Sequence, residues 1–576
     1  MKTRREFLQQ GSAASAGLLL SSQVAKASSL VNGEPSGSRP NIVLMLADDM
    51  GFSDIGCYGS EIETPNLNKL AAGGLRFKQF YNNPRCCPSR ACLMTGLYPH
   101  QAGMGMMVVD YKRYPYPAYA GDLSRSCVTI AEALRAGGYR TAMTGKWHLT
   151  PPVGVDKHNW PLQRGFEKFF GTIVGGGSYF NPSTLTRDNT PIQAKRDEDF
   201  YYTDAIGDHA VQFIDELGHG KEPFFLYTAF TSTHWPLHAR EQDIAKYKDR
   251  YQTGWDSLRQ ERHQRQIQMG IVEEKWGITK RDPRVPPWEL ASFHEWESHR
   301  MAVYAAQLDR MDQNIGKIVS KLEQMGIADN TLIFFMADNG GNYEEFGVPA
   351  TNANRPIWLP YETLDGRPVR VGNRPNIMPG PEDTWQSYGI PWGNCSNTPF
   401  RLYKHYAHEG GISTPLVAHW PAGIKQKNAL TNEIGHETDI MATCLDVAGV
   451  PYPSTTISGQ APPPLEGKSL KPIFEGGTRD RGPIFWEHEG NAAMRDGKWK
   501  LVSRFPDYWE LYDMDEDRTE MDDLTDKYPQ RVKSMAADYQ KWAKYVGAQP
   551  WPMPQTPQNV RQGAMPSPGY LRRDME

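Results

Sequence analysis

Short apolar segments alternate with amphipathic segments over most of the chain. The segments 41–47, 224–230 and 331–337 are almost wholly apolar and are bounded by polar residues, which is typical of strands buried on both faces. A further strand is predicted at 139–143. From about 297 to 325, apolar residues recur at intervals of three or four, so this segment is predicted to form a long helix with one apolar face.

Helix signals lie between these strands. Thr64 and Pro65 mark one predicted helix start, and Thr129 with Glu132 forms a capping box at another. Because strands and helices alternate, we predict an α/β fold with a large mixed, mostly parallel sheet sandwiched by helices.

The pattern changes after about residue 480 to short strands followed by a terminal helix. The predicted strands are 484–488, 492–495, 498–502 and 509–512. The helix carries on one face Val532, Met535, Tyr539, Trp542 and Val546. We therefore predict a large α/β domain at 40–480, a small C-terminal antiparallel sheet plus helix at 481–548, and a Pro-rich tail at 549–576.

The N-terminus resembles an export signal. Arg4 and Arg5 precede a small, mildly apolar stretch and the sequence Ala25-Lys26-Ala27. Together these features predict a twin-arginine signal peptide at 1–27, followed by a linker at 28–39. We expect export by the twin-arginine machinery to the periplasm or the cell exterior. No apolar run is long enough to predict a membrane span.

Composition excludes some classes of partner and framework. The net charge of −4 over 576 residues gives no electrostatic footprint for nucleic acid, so no nucleic-acid partner is expected. The seven cysteines contain no CxxC pair and no regular spacing, which indicates neither a zinc cage nor a disulfide scaffold.

Polar residues follow the predicted strands at their carboxyl ends. They are Asp48-Asp49, Lys146, His234 and Asp338-Asn339. Because ligands of open α/β sheets bind at this edge, we expect these side chains to meet on one rim. Four of these residues, Asp48, Asp49, Asp338 and Asn339, supply carboxylate and amide oxygens with no histidine or thiolate among them, which suits Ca²⁺ or Mg²⁺ and argues against Zn²⁺.

The stretch 86–96, Cys-Cys-Pro-Ser-Arg-Ala-Cys-Leu-Met-Thr-Gly, predicts a loop that enters a short helix. Pro88 suits the first helical position and Gly96 suits the position just past the end. Cys86 is then expected just outside the helix N-terminus, where partial positive charge favours an anion. Arg90 lies one turn inside the helix.

This stretch matches the Cys-x-Pro-Ser-Arg…Thr-Gly signature, and over roughly residues 41–545 the chain resembles the type I, formylglycine-dependent sulfatases of the alkaline phosphatase superfamily, in particular bacterial arylsulfatases. The resemblance implies that a sulfatase-maturating enzyme oxidises Cys86 to Cα-formylglycine. The hydrated aldehyde would attack sulfur and form a covalent sulfo-enzyme intermediate. The implied substrate is a sulfate monoester, either a small aryl sulfate or a sulfated glycan, which yields an alcohol and sulfate.

The resemblance also implies a metal and its ligands. Ca²⁺, in preference to Mg²⁺, would be held by Asp48, Asp49, Asp338, Asn339 and the modified Cys86. Its role would be to lower the pKa of the attacking hydroxyl and to spread the charge that develops on sulfate.

The same resemblance assigns the remaining catalytic positions. Lys146 would grip a sulfate oxygen, and His148 would act as the base that eliminates sulfate. His234 and Lys404 would steady the leaving oxygen, by donating a proton or by pairing with its charge. Arg90 would hold the diol by a charged hydrogen bond.

Other features leave more than one interpretation open. The segment 342–400 is irregular and is predicted to form a wall of the substrate pocket or a surface insertion. His405, His408 and His488 match no signature position and are treated as possible pocket residues.

Two other functions are considered: a phosphatase or phosphodiesterase of the same superfamily, and a catalytically inactive carbohydrate-binding relative. The former use Ser or Thr as nucleophile and often hold two metals partly with His, whereas this chain has Cys86 and no evident His-rich cluster for a second metal.

Overall fold

The computed structural model describes most of the chain, namely residues 39–108, 114–151, 156–195, 199–347 and 355–553. The predicted signal peptide and most of the predicted linker lie outside the described residues, as does the predicted tail beyond residue 553. The domain limits given above remain predictions.

The described strands are numbered in chain order. They are β1 (Asn41–Ala47), β2 (Leu75–Phe77), β3 (Phe80–Tyr81), β4 (Arg140–Lys146), β5 (Lys168–Thr172), β6 (Leu185–Arg187), β7 (Thr190–Pro191), β8 (Phe224–Ala229), β9 (Thr331–Ala337), β10 (Arg370–Val371), β11 (Thr384–Trp385), β12 (Leu416–His419), β13 (Ala429–Thr431), β14 (Gly435–His436), β15 (Ile484–His488), β16 (Asn491–Asp496), β17 (Trp499–Ser503) and β18 (Glu510–Asp513).

The described α-helices are numbered in the same way. They are α1 (Pro65–Ala72), α2 (Cys86–Thr95), α3 (Ile130–Ala136), α4 (Tyr202–Gly218), α5 (Glu241–Ala245), α6 (Gly254–Gln268), α7 (His294–Gln324), α8 (Gly389–Ser396), α9 (Glu409–Ile412), α10 (Thr438–Ala448), α11 (Lys471–Phe474) and α12 (Pro529–Val546). In this part of the chain, no helix is both long enough and apolar enough to cross a bilayer.

A large sheet organises the main part of the fold. Its strand order is β13-β2-β12-β9-β1-β8-β4-β5-β6-β7. The five strands in the middle, from β9 to β5, run parallel to one another, and antiparallel pairings follow on both sides. The predicted mixed, mostly parallel sheet is confirmed.

The sheet is buried on both faces, which explains why its strands lack an alternating pattern. In β1, Val43 and Met45 pack into one apolar cluster, together with residues of α7 such as Met301. Leu44 and Leu46 pack into a second cluster on the other face. Every side chain of a strand covered in this way is removed from water, so the strand appears in the sequence as a continuous apolar run.

The predicted helices are also found, with one difference at α2. The capping box is present, since Glu132 N donates to Thr129 Oγ1 over 3.1 Å and Thr129 N donates to Glu132 Oε2 over 2.8 Å. The helix α2, however, begins at Cys86 and not at Pro88. The first N–H groups of a helix have no intrahelical acceptor, so proline is tolerated anywhere in the first turn. Cys86 therefore lies in that turn and not outside it.

The C-terminal region forms the predicted small sheet, β15-β16-β17-β18, with antiparallel pairing throughout. The predicted face of α12 packs on it: Met535 and Trp542 share an apolar cluster with Leu501 and Leu511. Tyr98, which follows α2, joins this cluster and contacts Trp542 with ring centroids 5.1 Å apart. The small sheet is thereby fixed against the element that carries Cys86.

A buried ion-pair network joins the small sheet to α9. Lys500 Nζ lies 2.8 Å from Glu409 Oε1 and 2.7 Å from Glu520 Oε1. Arg518 Nε lies 3.3 Å from Glu409 Oε2, and all four side chains are fully buried. Removing one partner of such a network leaves charges without compensation in a medium of low dielectric constant.

We expect Lys500→Met to lower the free energy of unfolding by about 3–5 kcal/mol, because Glu409 and Glu520 lose their shared cation. Urea denaturation measures the change. The matched control is Lys69→Met, whose partner Glu323 is 45% exposed, and this change should cost less than about 1 kcal/mol. Equal losses for the two variants would contradict the structural role of the network.

Candidate active site at the carboxyl ends of the strands

The polar residues at the strand ends meet on one rim. Lys146 Nζ, at the end of β4, lies 2.6 Å from Asp48 Oδ2, which follows β1. Asp49 N donates to Asp338 Oδ1 over 3.1 Å, which links the end of β1 to the end of β9. His234, beyond β8, lies with Nε2 3.5 Å from Asp49 Oδ2. The predicted convergence is therefore present, and its cause is the parallel arrangement of the strands.

The oxygen-rich cluster has the chemistry of a cation site. Asn339 Nδ2 donates to Asp49 Oδ1 over 2.8 Å, so its Oδ1 is free to face the cluster. Asn339 Oδ1 and Asp48 Oδ1 are both buried and make no hydrogen bond within the described residues. Burial raises the pKa of Asp48 well above its usual value, and Asp338 and Asp49 add to the effect against the opposing charges of Lys146 and Arg90. Carboxylates crowded in this way fit a hard divalent cation.

Cys86 lies at the centre of these groups. Its side chain is buried, and Sγ lies 3.9 Å from Asp49 Oδ1. Burial raises the pKa of the Cys86 thiol far above its usual value, although Lys146 and Lys404 act in the opposite direction. Ligand atoms of Asp48, Asp49, Cys86 and His234 lie within 4.8 Å of one another.

Arg90 contacts the acidic cluster. Its Nε and Nη2 donate to Asp338 Oδ2 over 3.0 and 2.9 Å, and Nη1 donates to the backbone oxygen of Lys146 over 3.0 Å. The forked guanidinium thus fixes the carboxylate of Asp338. The predicted hydrogen bond from Arg90 to a diol remains a prediction.

Lys404 and His234 lie together on one side of Asp49. Lys404 Nζ is 2.8 Å from Asp49 Oδ2 and 3.5 Å from His234 Nε2. Burial opposes the charge on Lys404, but Asp49 and other neighbouring groups raise its pKa above the usual value. Burial, assisted by Lys404 and Lys146, lowers the pKa of His234 to about 3 although Asp49 opposes this. The pair therefore consists of a cation and a neutral imidazole.

His148 is held in an unusual backbone conformation beside α2. It has a φ of 56°, and its Nε2 lies 3.2 Å from Cys87 Sγ. A Cβ atom on Gly175 would lie 1.9 Å from the ring, so only glycine leaves room for the imidazole there. Burial, followed by the charges of Lys146 and Arg90, lowers the pKa of His148 well below its usual value. His148 is thus a neutral imidazole at neutral pH.

Two backbone segments cross at the rim without intervening side chains. Gly340 N donates to Gly411 O over 2.9 Å, and a Cβ atom on Gly340 would lie 1.8 Å from Gly410 O. Glycine at these positions lets the segment of Asp338 touch the segment that follows Lys404.

Several residues of the site were not found from the sequence. Asn342 Nδ2 donates to Asp49 Oδ2 over 2.8 Å, and Glu344 lies 3.1 Å from Arg85 Nη2. Trp235 Nε1 donates to Glu344 Oε2 over 2.5 Å. Their only sequence signal is proximity to Asp338, Cys86 and His234, which does not reveal the direction of a side chain.

An aromatic cluster borders the site and includes two residues of the irregular segment 342–400. Trp235 covers His234 with ring centroids 4.2 Å apart. Phe346 and Trp358, from the irregular segment 342–400, contact Trp235 at 5.0 and 4.9 Å. That segment therefore supplies apolar surface beside the strand ends.

The three unassigned histidines do not share one place. His408 Nε2 lies 3.1 Å from Glu510 Oε2 of β18, so it contacts the small C-terminal sheet. His405 and His488 lie next to each other, with ring centroids 5.4 Å apart.

Comparison with known proteins assigns the chain to a family. The model of the Sulfatase family matches residues 40–450, and that of N-sulphoglucosamine sulphohydrolase, C-terminal, matches residues 400–542. An uncharacterized sulfatase of Schizosaccharomyces pombe is 32% identical over 531 residues, which cover 86% of this chain and 92% of the relative. An arylsulfatase of Klebsiella aerogenes is 32% identical over 466 residues, covering 77% and 94%.

A solved structure has the same fold over most of its length. The crystal structure of Ps i-CgsB in complex with k-i-k-neocarrahexaose is 25% identical, with a TM-score of 0.64, and the match covers 92% of this chain and 98% of that chain. The family model spans both the Cys86 stretch and the acidic strand ends. The chain therefore belongs to the sulfatase family of sulfuric ester hydrolases.

Proposed function

We propose that the chain hydrolyses sulfate monoesters of aryl or carbohydrate alcohols with a nucleophile made from Cys86 by oxidation to Cα-formylglycine. The observation that carries the proposal is the burial of Cys86 beside Asp49. The carboxylates next to Cys86, which could hold a divalent cation, are paired with Lys146 and Lys404. A sulfatase-maturating enzyme would make the aldehyde. Export by the twin-arginine route to the periplasm or beyond is part of the same proposal.

Two groups would supply the central chemistry when they are bound or formed. The hydrated aldehyde supplies a hydroxyl nucleophile for sulfur, and Ca²⁺ supplies Lewis-acid stabilisation of that hydroxyl and of a sulfate oxygen. Asp48, Asp49, Asp338 and Asn339 would hold the ion, because they offer buried carboxylate and amide oxygens.

The two lysines balance the charge of the substrate. Lys146 pairs with the carboxylate of Asp48, and Lys404 pairs with that of Asp49. A sulfate ester placed over Cys86 would therefore lie between two fixed cations. Fixed charges that face the position where charge develops stabilise the transition state without reorganisation, and this stabilisation usually contributes more to catalysis than any other effect.

The two histidines would handle the proton and the leaving oxygen. His148 is neutral and can take a proton as sulfate is eliminated. His234 lies beside Lys404, and together they would stabilise the oxygen of the departing alcohol. Arg90 keeps Asp338 oriented towards the site.

The aromatic cluster supports the substrate class. Trp235, Phe346 and Trp358 offer flat apolar faces next to His234, and such faces stack on aryl rings and on sugars. The named relatives agree with this range, since one is an arylsulfatase and the solved structure of another binds k-i-k-neocarrahexaose.

The first prediction of the proposed function concerns Cys86. In protein produced together with a maturating enzyme, Cys86→Ala should lower the rate of sulfate release at least about 10³-fold, because the nucleophile is lost. Mass spectrometry of the peptide containing residues 86–90 should find formylglycine in the active wild type. The control Cys444→Ala changes a buried thiol elsewhere in the core and should keep activity. An unmodified thiol in fully active protein would refute the mechanism.

The second prediction separates leaving-group stabilisation from general charge effects. Lys404→Met should slow hydrolysis of alkyl sulfates by about 10²-fold or more, and that of 4-nitrophenyl sulfate much less, because a good leaving group needs little help. Rates for a series of sulfate esters give the dependence on leaving-group pKa. Lys541→Met, in which the replaced side chain is 78% exposed, is the matched control. An equal loss for all esters would contradict this role.

The third prediction concerns the metal. Purified wild type should retain about one Ca²⁺ per chain by elemental analysis, and dialysis against EGTA should remove both the ion and the activity. Asp48→Asn should lower the Ca²⁺ content, because one charged ligand is lost. Asp538→Asn changes an exposed carboxylate and should leave the content unchanged. The ligand assignment is wrong if Asp48→Asn retains the full content.

A further inference from the structure

A second group of metal-ligating side chains lies where the segment after Lys404 meets the small C-terminal sheet. His405, His488 and Glu489 each offer one ligand atom, and these atoms lie within 4.8 Å of one another. His405 is far from the other two residues along the chain, so only the folded structure brings the three side chains together.

The imidazole nitrogens of this cluster are buried and poorly satisfied. His488 is fully buried, and within the part of the chain that the structure describes neither of its ring nitrogens makes a hydrogen bond of good geometry, although the backbone of Gly105 faces the ring. His405 Nε2 is also buried without a hydrogen bond within the described residues, but the nitrogen that faces the cluster is Nδ1, 3.3 Å from Glu489 Oε2. A neutral imidazole has one N–H group and one lone pair, and burying either without a partner costs free energy.

The protonation states suit metal binding. Burial, followed by the charge of Arg85, lowers the pKa of His405 to about 3. Burial lowers the pKa of His488 well below its usual value, and His405 adds to this. Both rings are therefore neutral at neutral pH, which is the form that ligates metals. The nearby cation Arg85 pairs with Glu344 at 3.1 Å.

The three side chains are held by two ordered elements. β15 ends at His488, and Glu489 and Gly490 form the two-residue turn to β16 with φ values of 50° and 84°. Positive φ at both positions is the geometry of the mirror-image hairpin turns. His405 has a φ of 88°, and its N–H donates to Pro84 O over 2.6 Å.

We propose that His405, His488 and Glu489 bind a zinc ion that ties the Lys404 segment to the C-terminal sheet. Two imidazoles and one carboxylate are a typical Zn²⁺ ligand set, and the fourth position is left for water. In a tetrahedral shell with bonds of about 2.0 Å, ligand atoms lie roughly 3.3 Å apart. His405 Nδ1 and Glu489 Oε2 are already 3.3 Å apart.

The surroundings favour zinc over the other candidates for such ligands. Two nitrogen ligands disfavour Ca²⁺, which prefers oxygen. Burial of both imidazoles leaves little room for the several open positions of a two-histidine iron site. The side chain of Glu489 is 17% exposed, so the cluster is in contact with solvent on this side.

The test compares zinc retention in full-length wild type, His488→Gln and Glu489→Asn, all saturated with Ca²⁺ so that the acidic cluster is filled. Asn suits the positive φ of the hairpin turn, so Glu489→Asn should fold even where His488→Gln does not. His219→Gln, in which the replaced side chain is 74% exposed, is the matched control. Zinc is added, excess is removed by desalting, and the protein is analysed for metal.

Wild type and His219→Gln should retain about one equivalent more zinc than His488→Gln or Glu489→Asn. Co²⁺ in place of zinc should give the visible absorption of a four-coordinate site in the first two proteins only. Zinc at roughly 100-fold above Kd should raise the apparent Tm of wild type by about 2 °C and leave that of the variants unchanged.

Equal zinc retention in wild type and Glu489→Asn would overturn the proposal. A raised KM for sulfate esters without any change in zinc retention would also overturn it and would indicate a substrate subsite.

Discussion

The side chain of Asp49 is the constraint on which the rest of the site depends. Its two oxygens accept from Asn339, Asn342 and Lys404, each over 2.8 Å, and His234 lies just beyond. Together with His234, these groups come from three separate parts of the chain, so a single carboxylate sets the distances among them. In a buried environment such charge-assisted hydrogen bonds are strong, and none of the groups could stay there unpaired.

Much of the fold and of the site follows from local patterns in the sequence. The strands covered on both faces appear as uninterrupted apolar runs, and the polar residues that follow them must meet where parallel strands end. This is why Asp48, Lys146, His234 and Asp338 could be grouped without knowledge of the structure. The start of α2 was misplaced by two residues because proline is tolerated throughout the first helical turn, so its position does not fix the boundary.

The remaining features depend on long-range packing that no local pattern encodes. Asn342 and Glu344 lie in a segment without periodicity, and only the folded chain reveals that they face Asp49 and Arg85. The use of Arg90 to hold Asp338 likewise depends on how α2 lies against β9. The pairing of His405 with His488 requires the small sheet to pack beside the segment of Lys404, and no local pattern in the sequence predicts that contact.

The backbone crossing at Gly340 has a consequence for how such a pocket can diverge. The hydrogen bond from Gly340 to Gly411, and another from Lys404 N to Gly341 O over 3.1 Å, close the long segment between them at its base. Insertions or substitutions further out, around Phe346 and Trp358, then leave the spacing of Asp338, Asn339 and Lys404 unaltered. A chain built in this way can acquire a new preference for the alcohol part of its ester while the residues at the strand ends keep their spacing.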